Sequence, residues 1–289
     1  MKFVRAKDEL RAALASVRAD GASVGLVPTM GYVHEGHLSL LRAARAECDF
    51  VVMSLFVNPT QFGPGEDLER YPRDEQRDAE LAGEAGVDLI YAPVVEEVYP
   101  DGFSTTVEVT GVTEVLCGDP SRRGPGHFRG VTTVVAKLFN SVQPDVAYFG
   151  QKDAQQVAAI RRMVRDLDIP VRIEALPIVR EPDGLAMSSR NAYLSPAERQ
   201  RAAALSRALQ TIEQAASSDS LVAALDAGRR ELEQAGIEPE YLEARDAENL
   251  EPVAELDGRP VLIALAARVG PARLIDNVTI AGDGGREDT

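Results

Sequence analysis

The chain has 289 residues, long enough for a full core and for two domains, because single cores stop growing near roughly 250–300 residues. With 46 Asp and Glu against 31 Lys and Arg, its formal net charge of −15 excludes a large nucleic-acid footprint, which draws on clustered cations, and leaves any anionic ligand to a local basic pocket. Only Cys48 and Cys117 are present, without a Cys-x-x-Cys pair, no apolar run reaches membrane-spanning length and Met1–Lys7 is too charged for a signal peptide, so the expectation is a cytoplasmic protein with no membrane partner.

In chain order, Ser23–Val27 reads as a short buried strand, and a glycine- and histidine-containing turn leads to a helix from about His37 to Cys48, with Leu38, Leu41 and Ala44 inward. Phe50–Val57 is a continuously apolar strand that stops at Asn58-Pro59, where proline ends ladder pairing. Arg73–Gly86 is a charged helix and Val87–Ala92 a strand. Val131–Val142 is a core helix with Val131, Val134, Val135, Leu138, Phe139 and Val142 on one face. Strand Asp145–Phe149, helix Asp153–Leu167 and strand Val171–Leu176 follow. This alternation predicts a Rossmann-like, doubly wound parallel α/β sheet over residues 1–178, with ligands beyond the carboxyl ends of its strands.

After about Ile178 the pattern changes. Two alanine-rich helices (Pro196–Ala216 and Leu221–Ala235) precede extended runs at Pro239–Arg245, Pro260–Arg268 and Leu274–Ile280, which predicts a smaller α+β domain over 179–281. Residues 282–289 read as a disordered tail.

Four segments carry chemistry. Met30-Gly31-Tyr32-Val33-His34-Glu35-Gly36-His37 follows a strand and opens a helix, so two imidazoles and free helix N–H groups can meet one anion, a nucleotide phosphate for preference. Two other readings stay open on this segment: a pair of capping histidines with no ligand, and half of a zinc site, for which no further His or Cys pair stands nearby. Asn58 and Gln61, past the next strand, offer uncharged amides suited to a small polyol or carboxylate. Gly150-Gln151-Lys152-Asp153 supplies close backbone approach and, in a chain with only four lysines, a point charge for phosphate, while Gln156 projects from the first helical turn and Asp153 is also a natural N-cap. Finally Val179–Asn191 contains Met187-Ser188-Ser189-Arg190, two hydroxyls and a fork-shaped cation able to close over a triphosphate.

A His-x-Gly-His turn with a distant basic, serine-rich loop resembles the adenylyl-transfer superfamily of class I aminoacyl-tRNA synthetases and nucleotidylyltransferases. Pro28–Gly31 with His34–His37, then Phe56–Phe62, Tyr71-Pro72-Arg73, Gly150–Asp153 and Gly184–Asn191, in this order over most of the chain, resemble the pantothenate synthetase (pantoate–beta-alanine ligase) family. The resemblance implies ATP-dependent ligation of (R)-pantoate and β-alanine through pantoyl adenylate, releasing pyrophosphate and AMP, by a homodimer that uses Mg²⁺. It implies that His34, His37 and Lys152 hold the phosphates, with His37 giving a proton or hydrogen bond to departing pyrophosphate. Ser188, Ser189 and Arg190 would cover that pyrophosphate, Met187 and the Val179 backbone would line the adenine side, and Gln61 and Gln156 would grip pantoate, with Asn58 beside them. The protein ligand of the metal is unknown; Asp78 is a candidate, balanced by its reading as one acid on a solvated helix face.

Two departures stand out. An extra glycine separates Arg123 from Pro125-Gly126-His127-Phe128, which puts the reach of Arg123 toward phosphate in question, and Gln151 and Ala154 replace the acidic and aromatic residues of many relatives. The alternatives are a nucleotidylyltransferase acting on a mononucleotide, which would want a second basic pocket, and a catalytically silent nucleotide-binding protein on the same fold.

Overall fold

The computed structural model describes residues 1–218 and 220–280; the expected tail at 282–289 lies outside them. Its first body is a parallel sheet of strands β1 (Lys2–Val4), β2 (Val24–Thr29), β3 (Phe50–Leu55), β4 (Leu89–Tyr91), β5 (Val146–Gly150) and β6 (Arg172–Leu176), in the order β1-β4-β3-β2-β5-β6. The helices are α1 (Lys7–Ala19), α2 (Glu35–Glu47), α3 (Glu75–Glu84), the short α4 (Val95–Val98), α5 (Pro125–Val142) and α6 (Ala154–Asp166). Apolar clusters fill both faces of the sheet. Leu26, Val52, Leu89, Ala147 and Phe149 pack with α1 and α5 on one side, and Val27, Val51, Met53, Ile90 and Tyr148 with α2 on the other. Strands buried on both faces explain why they read as continuous apolar runs.

Strand order reverses beside β2, whose neighbours are β3 and β5. Pairing of β2 with β5 covers only Gly25 and Leu26, whereas β2 pairs with β3 along its whole length. The carboxyl ends of β2 and β5 therefore separate and leave a crevice at the switch point, where α/β sheets bind ligands.

The second body joins α7 (Pro196–Ala202), α8 (Ala204–Ala215) and α9 (Leu221–Gln234) to an antiparallel sheet of β7 (Pro239–Asp246), β8 (Val261–Val269) and β9 (Ala272–Ile280). Its own core holds Leu205, Leu209, Ile212, Leu232, Ile263 and Leu265. The expected class, a Rossmann-like parallel sheet with a smaller α+β part, is the one found.

The predicted elements lie within two residues of the observed ones except in three places, and the short α4 has no predicted counterpart. Before the first predicted strand stand β1 and α1. The helix expected from Val131 begins at Pro125, so Pro125-Gly126-His127-Phe128 is its first turn, with proline at a position whose N–H needs no partner. The helix expected over Pro196–Ala216 is interrupted at Ala203, which keeps right-handed backbone.

Candidate active site

The crevice is a cavity of about 230 Å³ walled by Met30, His34, Gly36, His37, Ser54, Asn58, Gln61, Tyr71, Gly150, Lys152, Asp153, Gln156, Val179, Met187, Ser188, Ser189 and Arg190. Through Lys152, Asp153, Gln156, Ser188 and Arg190 it shares a wall with a cleft of about 740 Å³ between the two bodies. All four segments singled out in the sequence thus reach one space, although they start far apart in the chain.

The first wall is set by a turn. Gly31 has φ +85°, and a Cβ there would lie 2.7 Å from Leu55 and 2.9 Å from Asp78, so only glycine fits. Tyr32 is also left-handed, with φ 52°. This turns the N–H groups of Tyr32 and Val33 onto Asp78, at 2.7 and 2.6 Å, while Arg77 donates to the Val33 carbonyl at 2.9 Å. Asp78 is 1% exposed. Burial raises its carboxyl above the ordinary range, against the two N–H bonds that lower it. Both oxygens serve the turn and Asp78 does not reach the cavity wall, so it fits neither the metal-ligand reading nor that of a solvated helix face. Among the described residues no group of three His, Cys, Asp or Glu side chains could hold a metal ion.

His34 is the N-cap of α2, and its Nδ1 accepts the Gly36 N–H at 3.1 Å; His37, in the first turn, accepts the His34 N–H on Nδ1 at 3.4 Å. The rings sit 4.1 Å apart, and a Cβ at Gly36 would lie 2.9 Å from the His34 ring. The glycine of His-x-Gly-His is there for that approach. Burial first, then neighbouring Lys152, lowers His34 to about 4. Burial, His34 and Lys152 hold His37 well below the ordinary value. Both rings are neutral near pH 7, and since each Nδ1 accepts, each proton resides on Nε2. The histidines do cap the helix, and in doing so they keep an N–H donor on the far side of each ring.

The amide wall is tightly built. Asn58 is 1% exposed and uses everything it has: Nδ2 donates to Gln61 Oε1 at 3.0 Å and to the Gly130 carbonyl at 3.1 Å, while Oδ1 accepts from Tyr99 at 2.8 Å and Thr60 at 2.9 Å. Among the described residues Gln61 is left with only the Met30 sulfur, at 3.3 Å, on its Nε2. Asp153 stands at the N-cap position of α6 but makes no side-chain capping bond, so its carboxylate stays with the cavity. Lys152 makes no ion pair among the described residues.

The loop arginines are held otherwise. Arg190 forms a two-point pair with Asp67 at 2.9 and 3.1 Å, and Arg123 pairs with Glu66 at 2.7 Å while donating to His127 Nε2 at 3.2 Å. The extra glycine, Gly124, takes φ +79° as N-cap of α5, and Arg123 still lines the cavity. His127 donates its Nδ1–H to the Gln61 carbonyl at 2.8 Å, and burial lowers its pKa to about 4. Ser188 Oγ accepts the Arg190 N–H, and Ser189 is buried against the Tyr32 carbonyl at 3.5 Å.

Several of these residues escape a reading of the sequence. Glu66 and Asp67 lie in a Gly-Pro-Gly loop whose only sequence signal is its place between strand and helix, because their partners stand far along the chain. Ser54, 1% exposed with no hydrogen-bond partner for its Oγ among the described residues, looks in sequence like one more position of an apolar strand.

Comparison with known proteins identifies the family. The family model described as pantoate-beta-alanine ligase matches residues 2–279. A pantothenate synthetase of Moorella thermoacetica is 56% identical over 97% of this chain and 99% of its own length, and one of Thermotoga petrophila is 53% identical over 98% and 100%. The crystal structure of pantothenate synthetase from Thermus thermophilus superposes with a TM-score of 0.91 at 50% identity, covering 97% of this chain and 100% of that one. The pantoate-beta-alanine ligase of Francisella tularensis, complexed with beta-gamma ATP and beta-alanine, gives 0.80 at 33% over 96% and 97%. With sequence and fold in agreement from end to end, the chain belongs to the pantoate–beta-alanine ligase family.

Proposed function

We propose that the chain joins pantoate to β-alanine at the expense of ATP in the crevice between β2 and β5. A pantoate carboxylate oxygen bonds to the α-phosphorus of ATP as the bond to the β-phosphate oxygen breaks, giving pantoyl adenylate and pyrophosphate. The β-alanine nitrogen then bonds to the acyl carbon, the bond to AMP breaks and the amine gives up a proton. The observation that carries this reading is the set of groups that line one cavity: neutral histidine donors, a lysine with no ion pair among the described residues, and the uncharged amides of Gln61 and Gln156.

Such a set suits the reaction. Adenylate formation asks for alignment and for stabilisation of charge on phosphate oxygens. In this reading His34, His37 and Lys152 receive the phosphates at the α2 N-terminus, beside the backbone of Met30–Gly36 and Gly150–Asp153. Ser188, Ser189 and Arg190 cover the departing pyrophosphate once Arg190 exchanges Asp67 for phosphate, and Val179 and Met187 border adenine. Because its ring is held neutral, His37 acts as a hydrogen-bond donor rather than as an acid. Gln61 and Gln156 hold pantoate by amide hydrogen bonds, which orient a carboxylate nucleophile with less charge withdrawal than an ion pair. Asn58, with all its polar atoms engaged, supports Gln61 in place of touching substrate itself.

Magnesium finds no protein cage among the described residues, and none is needed if the ion travels on phosphate oxygens with its ATP; no step is derived through it. We take residues 1–178 as the substrate-binding domain and 179–281 as its lid. The reaction is placed in the cytoplasm, and no described helix is long and apolar enough to cross a membrane. A homodimer fits segment 104–110, which joins neither sheet and, from 106 to 110, alternates exposed and half-buried residues. The test is ATP–pyrophosphate exchange, which this reading makes dependent on pantoate.

A further inference from the structure

The two loops that bring cations and hydroxyls to the cavity are fastened to one place on β9. Strand β9 packs against the 3₁₀ turns at Gln151–Asp153 and Ser189–Tyr193. Adjacent residues Asp276 and Asn277, 3% and 4% exposed, make the attachments, and because successive strand side chains point to opposite faces, each reaches a different loop. Asp276 holds Arg180 at two points, 2.6 and 3.0 Å, at the base of the hairpin in which Arg180 bridges to Ala186 and Met187 bonds to Val179. Ser188 follows directly. Asn277 donates both Nδ2 protons, to the carbonyl of Gln151 at 2.9 Å and to that of Lys152 at 3.0 Å.

That second attachment is specific in its chemistry. The two carbonyls belong to consecutive peptide planes on the two sides of the Lys152 Cα, so fixing both sets the direction in which the Lys152 side chain leaves the backbone. Lys152 sits at the head of α6 with no ion pair to hold it among the described residues, yet its charge is felt at both His34 and His37. Something other than an acid must keep it there. An amide is the one short side chain that supplies two donors from one atom. Asn277 Oδ1, by contrast, is buried without a partner among the described residues, so the NH₂ end makes all of the side chain's hydrogen bonds there.

We propose that Asn277 is a positioning residue for adenylate formation: from the second body it clamps the Gln151 and Lys152 carbonyls and so aims Lys152 at the phosphates. This rests on the reading of Lys152 as a phosphate-binding cation. It places a determinant of the first half-reaction on a strand that contributes no group of its own to the histidine wall.

The test compares Asn277→Ala, Lys152→Ala and the double variant, with thermal unfolding alongside. Two rates are measured on each full-length protein: pantoate-dependent ATP–pyrophosphate exchange, and the reaction of prepared pantoyl adenylate with β-alanine, which involves no triphosphate. Asn277→Ala is expected to slow exchange by about 10- to 100-fold, the scale of a misplaced catalytic group, while leaving the second rate near that of the parent. In the Lys152→Ala background it should cost nothing further. Equal losses in both half-reactions, the same factor of loss on top of Lys152→Ala, or unchanged exchange in Asn277→Ala would overturn the proposal. If Lys152→Ala itself leaves exchange unchanged, the Lys152 reading falls and the proposal with it. Should the alanine variant fail to fold, Asn277→Ser, which keeps one donor, carries the same comparison with the same outcomes.

Discussion

His34 serves two purposes that substitution can separate. As N-cap of α2 it accepts the Gly36 N–H at 3.1 Å, and with Nδ1 so engaged its proton is on Nε2. Asparagine ranks among the best N-caps, whereas alanine there costs about 1 kcal/mol. His34→Asn should therefore keep the helix start and change stability by well under about 1 kcal/mol, whereas His34→Ala should lose about that much. The ring centred 4.1 Å from that of His37 and its Nε2–H donor are gone in both. Losing one preorganised donor to a developing oxyanion costs about 10²–10³ in rate, or roughly 3–4 kcal/mol of barrier. The assay pairs chemical denaturation with pantoate-dependent ATP–pyrophosphate exchange. A stable His34→Asn protein with exchange slowed on that scale is the expected result. Exchange as fast as the parent's would mean that His34 caps the helix and does nothing else, and the phosphate wall would have to be redrawn.

Three further outcomes follow from the same geometry. Asp78→Asn sets an NH₂ against one of two buried N–H donors, so it should cost roughly 2–4 kcal/mol of stability and raise the KM for ATP by loosening the turn; parent-like melting would refute the role given to Asp78. His34 and His127 fall to about 4 in the fold against 6.5 when free, so the unfolded chain takes up protons first on acidification. Their stabilisation is complete above pH 6.5 and is lost between 6.5 and about 4, at about 1.4 kcal/mol per pH unit for each histidine; His34→Asn should flatten this limb, and an unchanged limb in urea titrations would contradict it. Asp67→Asn frees Arg190 from its carboxylate, so the KM for ATP should fall; a rise would show instead that Asp67 orients Arg190 for its ligand.

Much of this was written in local pattern. The parallel sheet shows as apolar runs alternating with helical periodicity, and the loops holding His34 and His37, Gln61, Lys152 and Ser188–Arg190 show because each follows a strand or breaks the pattern. The helix at Lys7–Ala19 was missed although Leu10, Leu14 and Val17 recur at helical spacing and pack in the core. What stays hidden is pairing at a distance. Nothing near Asp78 says that it will hold the backbone of Tyr32 and Val33, and nothing near Asn277 names the carbonyls at 151 and 152. The same holds for Glu66 and Asp67 against Arg123 and Arg190, which exist as pairs only once the loops meet. Ala203 is the opposite case, because an alanine-rich stretch contains no residue that would announce the interruption.

The central claim is that a carboxylate is activated as an acyl adenylate at the wall formed by His34, His37 and Lys152. ATP–pyrophosphate exchange, measured with and without pantoate and before any β-alanine is added, tests it most directly. The account predicts exchange that appears with pantoate and is absent without it. Exchange equally fast in the absence of pantoate, or none in its presence, would contradict it.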